Sequence, residues 1–304
     1  MVNPVNKSWI PNIFTLTSLF FGFSSILASV QSVREMAVLA LGEHAGISEP
    51  RTYLAYAGLF ILFAAVLDFM DGMVARALHV SSEFGKQLDS LADLVSCGLA
   101  PGVLFYTACL FAGSSLPESG IQFNATFGLP WWFVDNLFLV KLLSFLFPIC
   151  AVIRLARFNA APSTPYFSGV PSTFAGGAAA LLITFSLAKP PILWIYEKIS
   201  SGPPPEGLLH FTRWMETVSS QFFLVVFGFT ALALLMVSTV RFYKVRYFFK
   251  GMKGARRTLV ILFWFAAFVL FFQYALMLAS AWYFAFSIAK HYWYRRHPDR
   301  EDYA

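Results

Sequence analysis

The sequence predicts an all-α integral membrane protein, a polytopic bundle of about eight transmembrane helices that forms a single membrane domain over 1–304. Of the 304 residues, 58% are hydrophobic and only 12% are charged, whereas about a quarter of the residues in a soluble domain are charged. Apolar stretches of about twenty residues or more recur along the chain, which is the length a helix needs to cross a bilayer. Basic residues gather between particular stretches, as they do in cytoplasmic loops.

Net charge and cysteine usage argue against two other classes of protein. The formal net charge of +6 does not indicate a nucleic-acid partner, because basic residues in a membrane protein mostly report the orientation of its loops. The three cysteines, Cys97, Cys109 and Cys150, all lie in apolar stretches. They lack the spacing of a disulfide framework or a metal site, so we expect them to be packing residues.

The first four helices follow the apolar stretches in chain order. The first covers about 10–33 and is longer than the apolar part of a signal peptide, so it is predicted to be an uncleaved span. The second covers about 52–78, the third about 87–112 and the fourth about 133–157. A short turn at 77–86 joins the second and third helices, and helices joined in this way pack antiparallel.

The second half of the chain predicts two further helices and a hairpin. The fifth helix covers about 171–188 and the sixth about 222–240. The last apolar stretch, about 258–289, is long for one span and short for two. Basic residues in 241–257 and after position 289 place both flanks in the cytoplasm, so an even number of crossings separates them. This predicts eight helices with both termini cytoplasmic; the alternative is one tilted or re-entrant segment and seven crossings.

Four aspartates between two apolar stretches are the most informative feature of the chain: Asp68, Asp71, Asp89 and Asp93. An aspartate near the middle of a bilayer costs about 2.5–3.5 kcal/mol on insertion scales, so such residues are usually functional. The first two are three residues apart and the last two are four apart, so each pair shares one face of a helix. The predicted hairpin brings both pairs to the same end of the bundle.

This arrangement predicts a metal site that handles phosphate groups. Carboxylates suit hard divalent cations such as Mg²⁺ or Mn²⁺, and carboxylates from two helices can hold two ions about 3.5–4 Å apart. Arg76 offers a planar donor fork for a phosphate oxygen. Gly72 and Ala75 keep one helix surface small near the site, and Gly85 does the same on the next helix.

The motif resembles the signature of the CDP-alcohol phosphatidyltransferase family. From Asp68 to Asp93 it reads D-x2-D-G-x2-A-R-x8-G-x3-D-x3-D, with every fixed position of that signature present. Three other segments are similar to the bacterial membrane-type members that use serine: Pro11-Asn12-x-Phe14-Thr15, Arg154-Leu-Ala-Arg157-Phe158-Asn159 and Phe167-Ser168-Gly169-Val170-Pro171. The resemblance implies a core over 1–250, followed at 251–304 by the helical hairpin and a basic tail.

The resemblance also implies the reaction. A phosphatidyl group would pass from CDP-diacylglycerol to the hydroxyl of L-serine with release of CMP; the alternatives left open are inositol, glycerol 3-phosphate or choline as acceptor. It implies two divalent cations, membrane lipids as surroundings, a homodimer and the bacterial inner (cytoplasmic) membrane, with the active site in a polar cavity on the cytoplasmic side. An ion-coupled transporter would show polar stripes along several helices, and an inactive scaffold would show a broken motif; neither is seen.

The resemblance assigns roles to individual residues. Asp93 is expected to be the general base and, with the other three aspartates, a metal ligand. Nucleotide or phosphate contacts are expected from Gly72, Ala75, Arg76, Gly85 and Asn12, although Asn12 fits a helix cap equally well. Arg154 and Arg157 are three apart and share a face, where they would hold the acceptor carboxylate or a phosphate, or else anchor the helix at the membrane surface.

Overall fold

The computed structural model shows a bundle of long helices. It describes residues 9–41, 50–78, 80, 82–113, 115–116, 121–122, 136–160, 166–184, 205–207, 209–210, 222–243, 281–290 and 292–293. The main helices are α1 (Trp9–Ala40), α2 (Pro50–Ala77), α3 (Glu83–Asp93), a π-helix (Leu94–Leu99), α4 (Ala100–Gly113), α5 (Leu137–Ala160), α6 (Ser172–Thr184), α7 (Phe222–Val237) and α8 (281–290).

Four strands of two or three residues lie between these helices. β1 (Ser115–Leu116) pairs antiparallel with β2 (Ile121–Gln122). β3 (Tyr166–Ser168) pairs antiparallel with β4 (Arg241–Tyr243). Gly169 follows β3 with a φ of 76°, in a left-handed conformation that favours glycine. The second pairing holds the start of α6 beside the end of α7.

Within the described residues, four helical segments are long and apolar enough to cross a membrane: Trp9–Leu39, Thr52–Ala75, Glu83–Leu110 and Leu137–Ala160. The helical membrane architecture predicted from the sequence is therefore confirmed. The predicted fifth and sixth helices correspond to α6 and α7, which are shorter apolar helices. Most of the predicted hairpin at 258–289 lies outside the described residues. The total of eight transmembrane helices therefore stays a prediction.

The predicted bounds of several helices differ from those observed. The first helix runs on to Ala40, beyond the predicted end at about 33, and the sixth ends at Val237, before the predicted end at about 240. The third helix starts at Glu83, before the predicted start at about 87. Ser82 caps it, because its hydroxyl accepts a hydrogen bond from the Gly85 backbone N–H at 2.9 Å, and a cap of this kind satisfies a free donor of the first turn. The fourth helix runs on to Ala160, beyond the predicted end at about 157.

Hydrogen bonds show that α1 and α2 run antiparallel along their length. The Ser18 hydroxyl donates to the carbonyl of Ala64 at 3.0 Å, and the Ser32 hydroxyl donates to the carbonyl of Pro50 at 2.9 Å. The start of α1 therefore lies beside the end of α2, where Asp68 and Asp71 are located.

The π-helix follows Asp93 directly and packs between α1 and α6. A Cβ atom at Gly22 of α1 would lie 2.5 Å from the Ser96 Cα, and one at Gly176 of α6 would lie 2.8 Å from the Cys97 Cα. Any larger residue would push these helices away from the π-helix. A π-helix is rare and often marks a functional site, and this one fixes the backbone immediately beyond the last aspartate.

Three stacked aromatic rings join α4, α5 and α7. The ring of Phe229 lies 4.1 Å from that of Phe105 and 4.7 Å from that of Phe147, measured between centroids. All three side chains are fully buried. Two residues earlier on the same helix, Phe227 is 74% exposed, as expected for a side chain that faces lipid.

We expect Phe229→Ala to lower the thermal stability of the protein in detergent. Removing a buried phenyl ring leaves a cavity that costs about 3 kcal/mol in well-packed proteins. Phe227→Ala is the matched control, because its ring has no such neighbours to lose. Circular dichroism melting curves of both variants check this. Equal melting temperatures for the two would contradict the described core.

Candidate active site

Several helix ends of the described chain meet at one end of the bundle, which we call the site end. They include the starts of α1, α3 and α6 and the ends of α2, α5 and α7. Each of the four aspartates of the sequence motif lies there, at the end of α2 or in α3. The hairpin explains why, since α2 ends and α3 begins on either side of one short turn.

The structure brings three of the aspartates together. One carboxylate oxygen from each of Asp68, Asp71 and Asp89 lies within 4.8 Å of the other two. The fourth, Asp93, is 7% exposed and interacts with Asp68 and Asp89. The two faces that the spacing predicts on α2 and α3 thus point at one another.

Hydroxyl groups from α1 and α6 bind three of these carboxylates. Thr15 donates to Asp71 Oδ2 at 2.7 Å, Thr173 to Asp68 Oδ2 at 2.7 Å, and Ser172 to Asp93 Oδ2 at 2.8 Å. Each hydroxyl occupies one oxygen and thereby orients the other. Support of this kind from outside the ligand set is typical of metal sites.

The sequence alone does not predict a role for these hydroxyls. Thr15 closes the first of the three similar segments, and Ser172 and Thr173 follow directly after the last of them. Thr173 lies 105 residues from its partner Asp68, and Ser172 lies 79 residues from Asp93. No local spacing connects residues so far apart. The only available signal was that Ser172 and Thr173 begin a helix of small residues.

Two buried oxygens show that the carboxylate set fits a cation. Asp89 Oδ1 and Asp93 Oδ1 are buried without a hydrogen-bond partner among the described residues. A buried carboxylate oxygen without a partner is costly, and a divalent cation or an incoming donor would compensate it. An all-oxygen donor set suits Mg²⁺ or Mn²⁺ rather than a softer metal.

Arg154 lies beside this cluster. Its side chain is 8% exposed, and its Nη1 donates to the hydroxyl of Ser172 at 2.7 Å. Within the described part of the chain no carboxylate lies at ion-pair distance from Arg154; the ion pair found there joins Lys86 and Glu83 at 3.0 Å. Arg154 Nε is buried without a partner among those residues, so it remains available to an anionic group.

Comparison with known proteins identifies this constellation. Residues 8–201, more than half of the chain and all the site residues above, match the family described as CDP-alcohol phosphatidyltransferase. The chain belongs to the CDP-alcohol phosphatidyltransferase family. The resemblance seen in the signature motif is thereby confirmed.

Several curated relatives share one name, CDP-diacylglycerol–serine O-phosphatidyltransferase. The protein of Bacillus subtilis (strain 168) is 38% identical over 136 residues, which is 44% of this chain and 62% of that protein. The Mycobacterium leprae (strain TN) protein is 31% identical over 176 residues, 55% of this chain and 44% of its own length. The Helicobacter pylori (strain J99) protein is 32% identical over 184 residues, which is 59% of this chain and 58% of that protein. The chain thus spans less than two thirds of each of these relatives.

The other signature residues of the CDP-alcohol phosphatidyltransferase family surround the cluster. A Cβ atom at Gly72 would meet no atom of the described residues within 4 Å, so these residues leave this surface of α2 uncovered. Ala75, one turn further along, is half-buried. A Cβ atom at Gly85 would lie 3.3 Å from Asn12 Oδ1, so Asn12 lies beside the start of α3. The side chain of Arg76 lies outside the described residues.

Arg157 faces a different neighbour from Arg154. Its Nη1 donates to the backbone carbonyl of Val237, at the end of α7, at 2.7 Å. Nearby, the side-chain amide of Asn159 donates to the hydroxyl of Ser90 at 2.9 Å. Arg154 is therefore joined to the carboxylate cluster, whereas Arg157 connects α5 to α7. The expected role of Arg157 in acceptor binding stays a prediction.

The C-terminal helix α8 covers the start of α6. The ring of Phe174 lies 4.7 Å from that of Tyr283 and 5.3 Å from that of Phe284. Tyr283 also interacts electrostatically with Arg154. The sequence alone does not connect the last fifty residues with the site, because the signature motif ends well before them.

We expect Thr173→Val to weaken Mn²⁺ binding by about tenfold, since loss of a hydrogen bond that orients a ligand typically costs 10–100-fold in metal affinity. Valine keeps the shape of threonine, but it no longer donates to Asp68. Electron paramagnetic resonance of free Mn²⁺ in a titration of purified protein measures this. Thr17→Val is the control, because the Thr17 hydroxyl donates only to the Ile13 carbonyl of its own helix, at 2.7 Å. Equal Mn²⁺ affinities of Thr173→Val and the wild type would show that the hydrogen bond from Thr173 does not orient a metal ligand.

Proposed function

We propose that this protein transfers the phosphatidyl group of CDP-diacylglycerol to the hydroxyl of L-serine, which gives phosphatidylserine and CMP. The observation that carries the proposal is the carboxylate cluster beside a buried arginine, with two buried oxygens that have no hydrogen-bond partner among the described residues. Family membership supports the reaction class. The shared name of the curated relatives supports serine as the acceptor.

The bond changes define what the site residues must do. The serine oxygen forms a bond to the phosphorus that carries the diacylglycerol group. The bond from that phosphorus to the bridging pyrophosphate oxygen breaks, and CMP leaves with the bridging oxygen. The serine hydroxyl proton must be accepted by a base. Asp93 suits this role, because its Oδ1 is buried and has no partner in the described part of the chain, and a general base must reach the proton it removes.

Asp68, Asp71 and Asp89 would hold divalent cations, Mg²⁺ or Mn²⁺, and Asp93 would lie beside a second ion. When bound, such ions supply stabilisation of the negative charge on the phosphoryl oxygens and on the leaving CMP. The hydroxyls of Thr15 and Thr173 keep the carboxylates aimed at this region before any ion arrives. Such preorganisation avoids a reorganisation cost at the moment of reaction.

The remaining signature residues would bind the two substrates. The surface of α2 at Gly72, with the small side chain of Ala75 one turn further along, would leave room for the cytidine nucleotide. Asn12, beside Gly85, would contact its phosphates, and Arg76 of the signature motif would supply a second phosphate contact. Arg154 would hold the serine carboxylate through its free Nε, with Arg157 further along the same helix. A fixed acceptor raises the effective concentration of the nucleophile.

We further propose that the site end faces the cytoplasm of a bacterial cell. The chain would cross the inner membrane eight times, with both termini in the cytoplasm, and would form a homodimer. The basic run at 241–257 supports this orientation, because β4 begins that run and pairs with β3 at the site end. Positively charged loops are retained on the cytoplasmic side. Cysteine-scanning accessibility at Lys86, on α3, tests the orientation: labelling from the cytoplasmic side only is expected.

The acceptor is tested by CMP release from purified protein in detergent. CDP-diacylglycerol and Mn²⁺ or Mg²⁺ are supplied with serine, inositol, glycerol 3-phosphate or choline, one at a time. Metal-dependent release with serine alone is the expected result. Release with another alcohol would keep the reaction class and overturn the serine assignment. No release from folded protein with any acceptor would overturn the proposed function.

A further inference from the structure

We propose that Ser172 is a positioning residue that sets the separation of Arg154 and Asp93, and thereby selects an acceptor whose carboxylate and hydroxyl lie close together. This inference rests on the proposed function. It concerns a residue outside the signature motif and assigns it a part in acceptor selection.

The hydrogen bonds of Ser172 have only one possible direction. Its Oγ lies 2.7 Å from Arg154 Nη1 and 2.8 Å from Asp93 Oδ2. A guanidinium can only donate and a carboxylate can only accept. The hydroxyl therefore accepts from Arg154 and donates its single proton to Asp93. The Ser172 side chain is fully buried, so water does not compete for either bond.

The two hydrogen bonds of Ser172 form a bridge between Arg154 and Asp93. This bridge leaves a further polar atom of each charged side chain available. Arg154 Nε and Asp93 Oδ1 are both buried, and neither has a partner among the described residues. One is a charged donor and the other an acceptor. Serine carries the complementary pair, a carboxylate and a hydroxyl on adjacent carbons. Its carboxylate would accept from Nε while its hydroxyl donates to Oδ1.

The hydroxyl also keeps two opposite charges apart. An arginine and an aspartate so close together would otherwise form a direct, often two-bonded ion pair. Such a pair would occupy the atoms that the acceptor needs. Ser172 lies between them and binds Arg154 Nη1 and Asp93 Oδ2. Arg154 Nε and Asp93 Oδ1 therefore remain available to the acceptor. Its position as the first residue of α6 makes the spacing a property of how α6 docks on α5 and on the π-helix that follows Asp93.

The test compares serine kinetics in the wild type and in Ser172→Ala. We expect the KM for serine to rise by about tenfold or more while the KM for CDP-diacylglycerol stays within about twofold, since a lost acceptor contact acts on that substrate alone. Ser24→Ala is the control, because the Ser24 hydroxyl donates to the Phe20 carbonyl of its own helix. Unchanged serine kinetics in folded Ser172→Ala would overturn the inference.

A double-mutant cycle with Arg154→Ala excludes a merely structural role. If Ser172 acts through Arg154, adding Ser172→Ala to Arg154→Ala should raise the KM for serine by less than about threefold, because coupled residues are not additive. If the KM increases of the two single variants instead multiplied in the double variant, Ser172 would not act through Arg154.

A second variant covers the case in which Ser172→Ala does not fold. Ser172→Cys keeps nearly the same shape but is only a weak donor, and about a fivefold rise in the KM for serine is expected from it. A KM unchanged from the wild type would overturn the inference. If the wild type itself shows no serine-dependent CMP release, the proposed function fails first, and this outcome is distinct from a variant that keeps wild-type kinetics.

Discussion

Asp89→Asn is expected to abolish metal-dependent CMP release, with kcat lowered by about 10³-fold or more, because the site loses its charge stabilisation of the transferred phosphoryl group. Asp89 supplies the only α3 carboxylate in the three-oxygen group, and its Oδ1 is buried without a partner in the described part of the chain. Asparagine keeps the size of the side chain and removes its charge. The loss should be accompanied by weaker Mn²⁺ binding in a direct titration.

Glu83→Gln is the matched control for Asp89→Asn. Glu83 lies on the same helix, but its side chain is exposed and pairs with Lys86. Exposed pairs of this kind contribute only about 0–1 kcal/mol, so activity and Mn²⁺ affinity should stay near the wild-type values. If Asp89→Asn instead retained both Mn²⁺ binding and turnover, the carboxylate cluster would not be the metal site.

Asp93→Asn is expected to lower kcat by about 10²–10⁴-fold, the usual contribution of a general base. The amide oxygen of asparagine can still accept the hydrogen bond from Ser172, so the fold and the bridge to Arg154 should persist. The amide cannot take the proton of the acceptor hydroxyl. Steady-state kinetics with serine and CDP-diacylglycerol, beside thermal melting of the same preparation, measure the effect.

The affinity for Mn²⁺ is expected to distinguish Asp93→Asn from Asp89→Asn. Asp68, Asp71 and Asp89 remain in Asp93→Asn, so this variant should still bind Mn²⁺ although its turnover is lost. Near-normal turnover of Asp93→Asn would show that another group accepts the proton, and the general-base assignment would be wrong.

The sequence predicted the part of the site that depends on local spacing. The positions of Asp68 and Asp71 on one face of α2, and of Asp89 on α3, follow from the helical period and from the short turn between the two helices. Because that turn is short, both faces had to meet at one end of the hairpin. The cost of acids in a membrane then indicated that the meeting place is functional.

The parts that the sequence did not predict depend on contacts between distant segments. Ser172 reaches Asp93 only because α6 docks against the π-helix that follows Asp93, and Gly176 allows that docking by its close approach to Cys97. No residue pattern in the sequence predicted the π-helix, which lies in close contact with Gly22 of α1 and Gly176 of α6. The position of α8 beside Phe174 likewise follows from tertiary packing alone.

The central claim is metal-dependent transfer of a phosphatidyl group to serine at the carboxylate cluster. Incorporation of isotope-labelled serine into the lipid extract tests it most directly, with purified wild-type protein, CDP-diacylglycerol, and metal first removed by a chelator and then restored. We predict labelled phosphatidylserine only when metal is present, in an amount equal to the CMP released. Label that stays in the aqueous phase while CMP appears, or transfer that continues without metal in folded protein, would contradict the account.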